Sequence, residues 1–399
     1  MSQDGPKLPE VLNEQGLPQA KRWGTFAAKM TLRAAYRGLQ PTAQEAFSKG
    51  PDQPRLRRFY AETDDGWHLP IYRLPVMPQG SGEPILLAHD LGFNHHSLQF
   101  HRDRSLAWAL QAAGFAVFFL AHRGDHGTVA PTKPGPWDFD TIAQIDVPAV
   151  VDAILERTGF ERLSWVGHGF GGQLLYAYLA NTTENRIASA SCLCAPVRFT
   201  SPKSHARAMR MALGLLPANF ELPTRKISRA LSPALRSGST QMKQLGLQSA
   251  DGETARGLLL HATENLGAGL LRQVLGWAER GYLSDSSGYQ DLAACMEGIE
   301  LPFQLIASKG DDSCPPASAF AVTDFIDGPI DTVTLDTSWG HRDPLLSPKA
   351  ATAVFPQIVT WMNKHRKLAW GHVVDVQESE STRPDSLVMD NGAHCAKAS

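Results

Sequence analysis

The sequence predicts an α/β protein, a mostly parallel sheet covered by helices on both faces, with a helical insertion late in the chain. Three patterns carry that expectation. Short apolar runs such as PILLA at 84–88 and AVFFLA at 116–121 recur between stretches of helical periodicity. Strands that are apolar on both faces belong in a parallel sheet. The alternation lapses over 200–298, where helical patterns run with little strand character, and then resumes. Lastly, a Gly-rich turn, Gly167-His168-Gly169-Phe170-Gly171, joins an apolar strand to a helix.

The elements follow in order. Residues 57–63 and 68–74 flank Asp65-Gly66 and predict a hairpin. Residues 84–89 form a buried strand and 105–113 a helix; 116–121 and 140–158 repeat the pair. Residues 162–166 lead into the Gly-rich turn, whose helix begins near Gly172, and 187–195 is the sixth strand. Within the insertion, 206–216 and 254–279 predict helices. Residues 303–307 and 332–335 complete eight strands, each followed by a helix, from Pro316 and over 348–364. An insertion after the sixth strand lies over the C-terminal edge of the sheet, where open α/β sheets bind ligands, and is expected to be a cap. The expected organisation is an N-terminal arm at 1–55, a core at 56–199, a cap at 200–298, the rest of the core at 299–367 and a polar, disordered tail at 368–399.

Bulk properties narrow the function. The 399 residues are 43% hydrophobic and 20% charged, with a formal net charge of −2, which gives no reason to expect nucleic acid as a partner. The five cysteines are scattered, and Cys192 and Cys194 alternate within an apolar run, so buried thiols in a reducing compartment are expected in preference to disulfides. The first residues include Asp4 and Glu10 and no apolar core of a signal peptide, and no window approaches a membrane span; a cytoplasmic protein is expected. Residues 15–44 carry Lys21, Arg22, Lys29, Arg33 and Arg37 and no acid. Their apolar and basic positions do not separate cleanly on a helical wheel, so a helix docked on the body is expected before one lying on a membrane surface.

Several stretches carry a family resemblance: PILLAHDLGFN, WDFDTIAQIDVPAVVDAILERTG, RLSWVGHGFGGQLLYAYLA, ASKGDDSCPP and SWGHRDPLLSPKAATAVFPQIVTWM. Together, in this order, the chain resembles the α/β-hydrolases over roughly residues 55–367, and within them the bacterial lipase and esterase branch related to acid lipases and polyhydroxyalkanoate synthases. The resemblance implies that residue 169 stands at the nucleophile elbow. Such a turn demands small neighbours two residues either side, which Gly167 and Gly171 satisfy, but Gly169 has no side chain with which to attack. No G-x-S-x-G occurs elsewhere in the chain. It implies further that Asp311, with Asp312 as the alternative, is the acid and His341 the general base. The oxyanion donors would be the N–H groups of Phe170 and Leu91. Asp90, in the segment His89-Asp90-Leu91-Gly92, departs from the family pattern, because a carboxylate opposes a developing oxyanion.

Half of the 14 histidines fall within 80 residues, and His89, His122 and His168 close successive strands. With Asp90, Asp125, Asp311 and His341 they offer metal ligands, but none forms a tight ligand motif, so hydrogen-bonded structure is the expectation and neither metal nor cofactor is assigned. Cys192 and Cys194 are expected within the sixth strand, away from the elbow. The resulting expectation is a pseudoenzyme of lipase and esterase descent that binds an acyl or other apolar ligand, or a partner, through a pocket at His89, Asp90 and His168. The alternative is an active ester hydrolase using an Asp311–His341 dyad with water or a metal.

Overall fold

The computed structural model describes residues 56–75, 82–101, 104–184, 186–200, 203–217, 219–234 and 240–366. The expected arm and the tail beyond residue 366 lie outside them.

Eight strands form one sheet: β1 (Arg57–Glu62), β2 (His68–Arg73), β3 (Pro84–Ala88), β4 (Ala116–Phe119), β5 (Leu163–His168), β6 (Ile187–Leu193), β9 (Phe303–Ser308) and β10 (Ile330–Leu335). Two short strands, β7 (Glu221–Leu222) and β8 (Leu266–Gly267), pair apart from it. The order in the large sheet is β1-β2-β4-β3-β5-β6-β9-β10. The β1–β2 and β2–β4 pairs are antiparallel and the remaining pairs parallel.

The apolar runs fill both faces. Leu86 and Ala88 of β3 and Phe118 of β4 enter one buried cluster with Trp165 and Leu174. Their alternating neighbours Ile85, Leu87, Val117 and Phe119 enter a second cluster with Ile306, Phe355 and Trp361. Period-two alternation therefore puts apolar side chains on both faces, and helices cover each.

Three expected helices are interrupted. The stretch 140–158 is Phe139–Thr141, a π-helical turn at Ile142–Asp146 and Val147–Thr158. The turn aims Asp146 at Arg123: its carboxylate accepts from the Arg123 backbone N–H at 2.8 Å and from Nη2 at 2.6 Å. Asp65 in the β1–β2 turn accepts from the same guanidinium at 2.7 Å, so one buried cation ties hairpin, loop and helix together.

The stretch 254–279 breaks into Gly252–His261 and Ala268–Arg280. Between them Glu264 donates its N–H to the Gly92 carbonyl, and Leu266 and Gly267 pair with β7; these long-range bonds override local helical propensity. The last stretch, 348–364, separates into Ala350–Ala353 and Phe355–Lys364, and a short helix at Asp343–Leu346 precedes it. The helices between β6 and β9 occupy the insertion.

Removing one partner of a buried ion pair leaves the other charge desolvated. Asp146→Ala is expected to cost about 3–5 kcal/mol, read as a lowered urea midpoint at unchanged m-value. A loss below about 1 kcal/mol would show that Asp65 alone holds Arg123.

Candidate functional site

Parallel strands end on the same side of a sheet, and the loops leaving β3, β5, β9 and β10 converge there. Gly169 follows β5 directly and opens the helix Phe170–Asn181 at φ 51° and ψ −111°. A side chain at this φ is strained. Neighbouring glycines are demanded by space: a Cβ at Gly167 would lie 2.5 Å from the Gly172 nitrogen, and one at Gly171 would overlap the Ala88 carbonyl oxygen. The turn is held by the Gly169 N–H, which donates to the Leu193 carbonyl at 2.8 Å.

The space above Gly169 is filled by Asp90. A Cβ on residue 169 would overlap Asp90 Oδ1 and lie 3.1 Å from His341 Nε2. Asp90 Oδ1 accepts from the Phe170 N–H at 3.2 Å, while Oδ2 accepts from Arg342 Nη2 at 2.7 Å and lies 3.4 Å from His341 Nε2. Burial opposes the charge on Asp90, but Arg342 and His341 outweigh it and hold the carboxyl well below its usual range.

His341 is held between two carboxylates. Its Nδ1–H donates to Asp311 Oδ2 at 2.6 Å and its Nε2 faces Asp90. Burial disfavours the imidazolium, yet Asp311 and Asp90 together push His341 up to about 9. Asp311 is oriented by the Ser313 hydroxyl at 2.6 Å and by the N–H groups of Ser313 and Cys314; Asp312, the alternative, is exposed. His168 donates Nε2–H to the His341 carbonyl at 2.9 Å. Burial, and then His341, lower it to about 4, so it is neutral.

His89 stands beside this group and turns away from it. Its Nδ1–H donates to the Asp90 carbonyl at 3.1 Å and Nε2 lies 3.0 Å from Asp125 Oδ2. Leu91 follows Asp90 in the turn and packs partly buried against the main core cluster.

Two residues at this place escaped the sequence reading. Arg342 is the cation that balances Asp90, and it also donates to the Leu245 carbonyl at 2.7 Å and lies over the Phe93 ring at 4.4 Å. Its only signal in sequence is adjacency to His341. Cys194 was expected inside the sixth strand and away from the elbow; that expectation is corrected. Strand β6 ends at Leu193, Cys194 turns at φ 49°, and ligand-capable atoms of His168, Cys194 and His341 lie within 4.8 Å of one another. Burial pushes the Cys194 thiol well up, and nearby carboxylates add to the shift, so it is no thiolate.

A family model of the alpha/beta hydrolase fold matches residues 83–248. The sheet order, the turn at Gly169 and this match agree. The chain has the α/β-hydrolase fold. Among curated α/β-hydrolase relatives it is 29% identical over 182 residues to a probable lipase of Schizosaccharomyces pombe, covering 42% of this chain and 39% of that one. It is 30% identical over 168 residues to human lipase member M, covering 39% of each. The chain thus spans about two fifths of the length of these relatives. Among solved structures, a Thermogutta terrifontis esterase superposes with TM-score 0.52 at 18% identity, over 78% of this chain and 99% of that one. An Exiguobacterium antarcticum esterase superposes with TM-score 0.53 at 15% identity, over 77% and 100%. These structural likenesses show the α/β-hydrolase fold alone. No helix among the described residues is long and apolar enough to cross a membrane.

The raised pKa of His341 has a signed consequence. Folding adds a proton to it between the unfolded value of 6.5 and about 9, so its stabilisation is complete below 6.5 and lost as pH rises through about 9. His96 and His168, lowered to about 4, act oppositely and lose stability as pH falls from 6.5 through about 4. Urea midpoints are expected to decline from pH 6.5 to pH 9.5 in the native chain and to decline less in Asp90→Asn. An equal decline in both would remove Asp90 from the cause.

Proposed function

We propose that this α/β-hydrolase has lost serine-based ester hydrolysis and that its catalytic elbow is occupied by an internal carboxylate. The observation that carries the reading is Asp90, whose Oδ1 stands where a residue-169 side chain would project and takes the Phe170 N–H. That N–H is one of the two groups the family resemblance implies for an oxyanion hole, with Leu91 the other. A substrate carbonyl would have to displace a carboxylate already neutralised by Arg342 and His341. In this reading Asp311 and His341 keep the acid–histidine pairing of a triad but not its third member. The helical insertion is a cap over the same edge of the sheet.

The alternative, hydrolysis by an Asp311–His341 dyad acting on water, is supported by their 2.6 Å contact. A general base must be neutral to accept a proton, and His341, pushed up to about 9, is charged near pH 7. The first reading is therefore preferred. Ligand choice follows the geometry: an acyl group reaches Gly169 only if Asp90 and Arg342 separate. The cavity beside His89 is lined instead by polar side chains such as Asn94, Asp125, His126, Arg225 and Glu264. A small polar ligand fits that lining better than an apolar one.

A serine-directed fluorophosphonate probe is expected to leave the native chain unlabelled, and short p-nitrophenyl esters to show no turnover above buffer. Gly169→Ser alone is expected to stay inactive and to lose stability, because the new side chain overlaps Asp90. Gly169→Ser with Asp90→Gly is expected to gain probe labelling and measurable turnover. Ester turnover by the native chain, abolished in His341→Ala, would overturn the proposal and favour the dyad.

A further inference from the structure

Beyond the elbow lies a second buried group. His89 follows β3 directly, and His122 and Asp125 lie in the loop after β4, so two adjacent parallel strands deliver all three to one place. One ring nitrogen of each histidine and a carboxylate oxygen of Asp125 lie within 4.8 Å of one another. All three are buried, at 2%, 5% and 5% exposure.

Backbone carbonyls orient both imidazole rings. His89 Nδ1 faces the Asp90 carbonyl at 3.1 Å and His122 Nδ1 faces the Arg123 carbonyl at 2.9 Å. A carbonyl only accepts, so each Nδ1 carries a hydrogen and, in the neutral ring, each Nε2 carries the lone pair. The lone pair of His89 then meets the Asp125 carboxylate at 3.0 Å, an acceptor against an acceptor, unless a cation lies between them. A proton is one such cation. The Nε2 of His122 is buried with no hydrogen-bond partner among the described residues. Donation of Nδ1–H to a backbone carbonyl is also how proteins orient histidines that ligate metals.

We propose that His89, His122 and Asp125 form a site for a divalent cation of the zinc class. Two imidazoles and one carboxylate select zinc and its neighbours over magnesium or calcium, which favour all-oxygen shells. Nitrogen and oxygen ligands of a tetrahedral zinc ion lie about 3.3 Å apart. The His89 Nε2 to Asp125 Oδ2 separation is 3.0 Å, close to that span. His89 and Asp125 also line a cavity of about 100 Å³ shared with Asn94, Glu264, Arg225 and Arg229. That is space for about three waters or a small anion to complete the ion's shell. Glu264, 2% exposed, adds a second carboxylate to the wall. The site uses none of Gly169, Asp311 or His341.

The test uses the full-length chain stripped with chelator and titrated with zinc chloride by calorimetry, then with cobalt(II) by absorption spectroscopy. One ion per chain is expected, with a raised Tm and visible cobalt bands that lack thiolate charge transfer. Asp125→Asn, which preserves the side-chain shape, and His122→Gln are each expected to weaken binding at least about tenfold and to abolish the Tm gain. Cys194→Ala is expected to bind as the native chain does. Absence of stoichiometric binding would overturn the proposal, as would unchanged affinity in both ligand variants while they remain folded by circular dichroism. A thiolate-to-cobalt band lost in Cys194→Ala would also overturn it, moving the ion to the His168, Cys194 and His341 group.

Discussion

A buried carboxylate must be compensated, and the compensation of Asp90 organises everything around the turn at Gly169. An unpaired anion at 6% exposure would be prohibitive. Three donors surround this one: the Phe170 N–H, Arg342 and the Nε2 of His341. Each has its own consequence. The amide bond brings Oδ1 into the volume that any side chain on residue 169 would need, so glycine there and aspartate at 90 form one arrangement. The Arg342 bond draws that side chain across the site, where the Leu245 carbonyl and the Phe93 ring hold it. Proximity to His341 adds a second anion to the one Asp311 supplies, and the imidazole becomes a resident cation.

The fold makes this meeting possible because parallel strands discharge their loops at one edge. Asp90 lies two residues past β3, Gly169 one past β5, Cys194 one past β6, Asp311 three past β9 and His341 six past β10. None of these side chains is near another in sequence except His341 and Arg342. The same edge, one strand over, gathers His89 with the loop after β4. A doubly covered parallel sheet therefore builds two polar groups side by side. The His89 ring links them through its bonds to the Asp90 carbonyl and to Asp125.

Much of this was legible in the residues. The strands were visible because both faces are apolar, as Leu86 and Leu87 illustrate by entering opposite clusters. The resemblance implied Asp311, or Asp312, as the partner of His341, although no local pattern predicts a 2.6 Å bond across 30 residues. Arg342 was hidden because its partner lies 252 positions away; a guanidinium beside a histidine looks like an ordinary surface cation. Cys194 was hidden by one residue of strand length: ending β6 at Leu193 and turning to positive φ converts a strand thiol into a neighbour of His168 and His341. The break at 262–267 was hidden because helical propensity favours continuity, while the bonds that interrupt it go to Gly92 and to β7.

The polarity of the site argues about what kind of ligand the scaffold retains. An acyl chain is stabilised by leaving water for apolar surface, roughly 25 cal/mol per Å² buried. That gain fails where burial also strips water from charged walls. Around Gly169 the walls are Asp90, Arg342 and His341, already paired to one another; an apolar guest would break those pairs and leave their charges desolvated, at several kcal/mol each. In the neighbouring cavity, burial holds His95 and His96 neutral while Glu264 and Arg225 pair at 3.4 Å. One of these imidazoles, His96, has a buried Nδ1 with no hydrogen-bond partner among the described residues. An apolar ligand offers it nothing. In the reading proposed above, that lining suits a small polar ligand or a cation better than the acyl group that kinship with lipases would suggest.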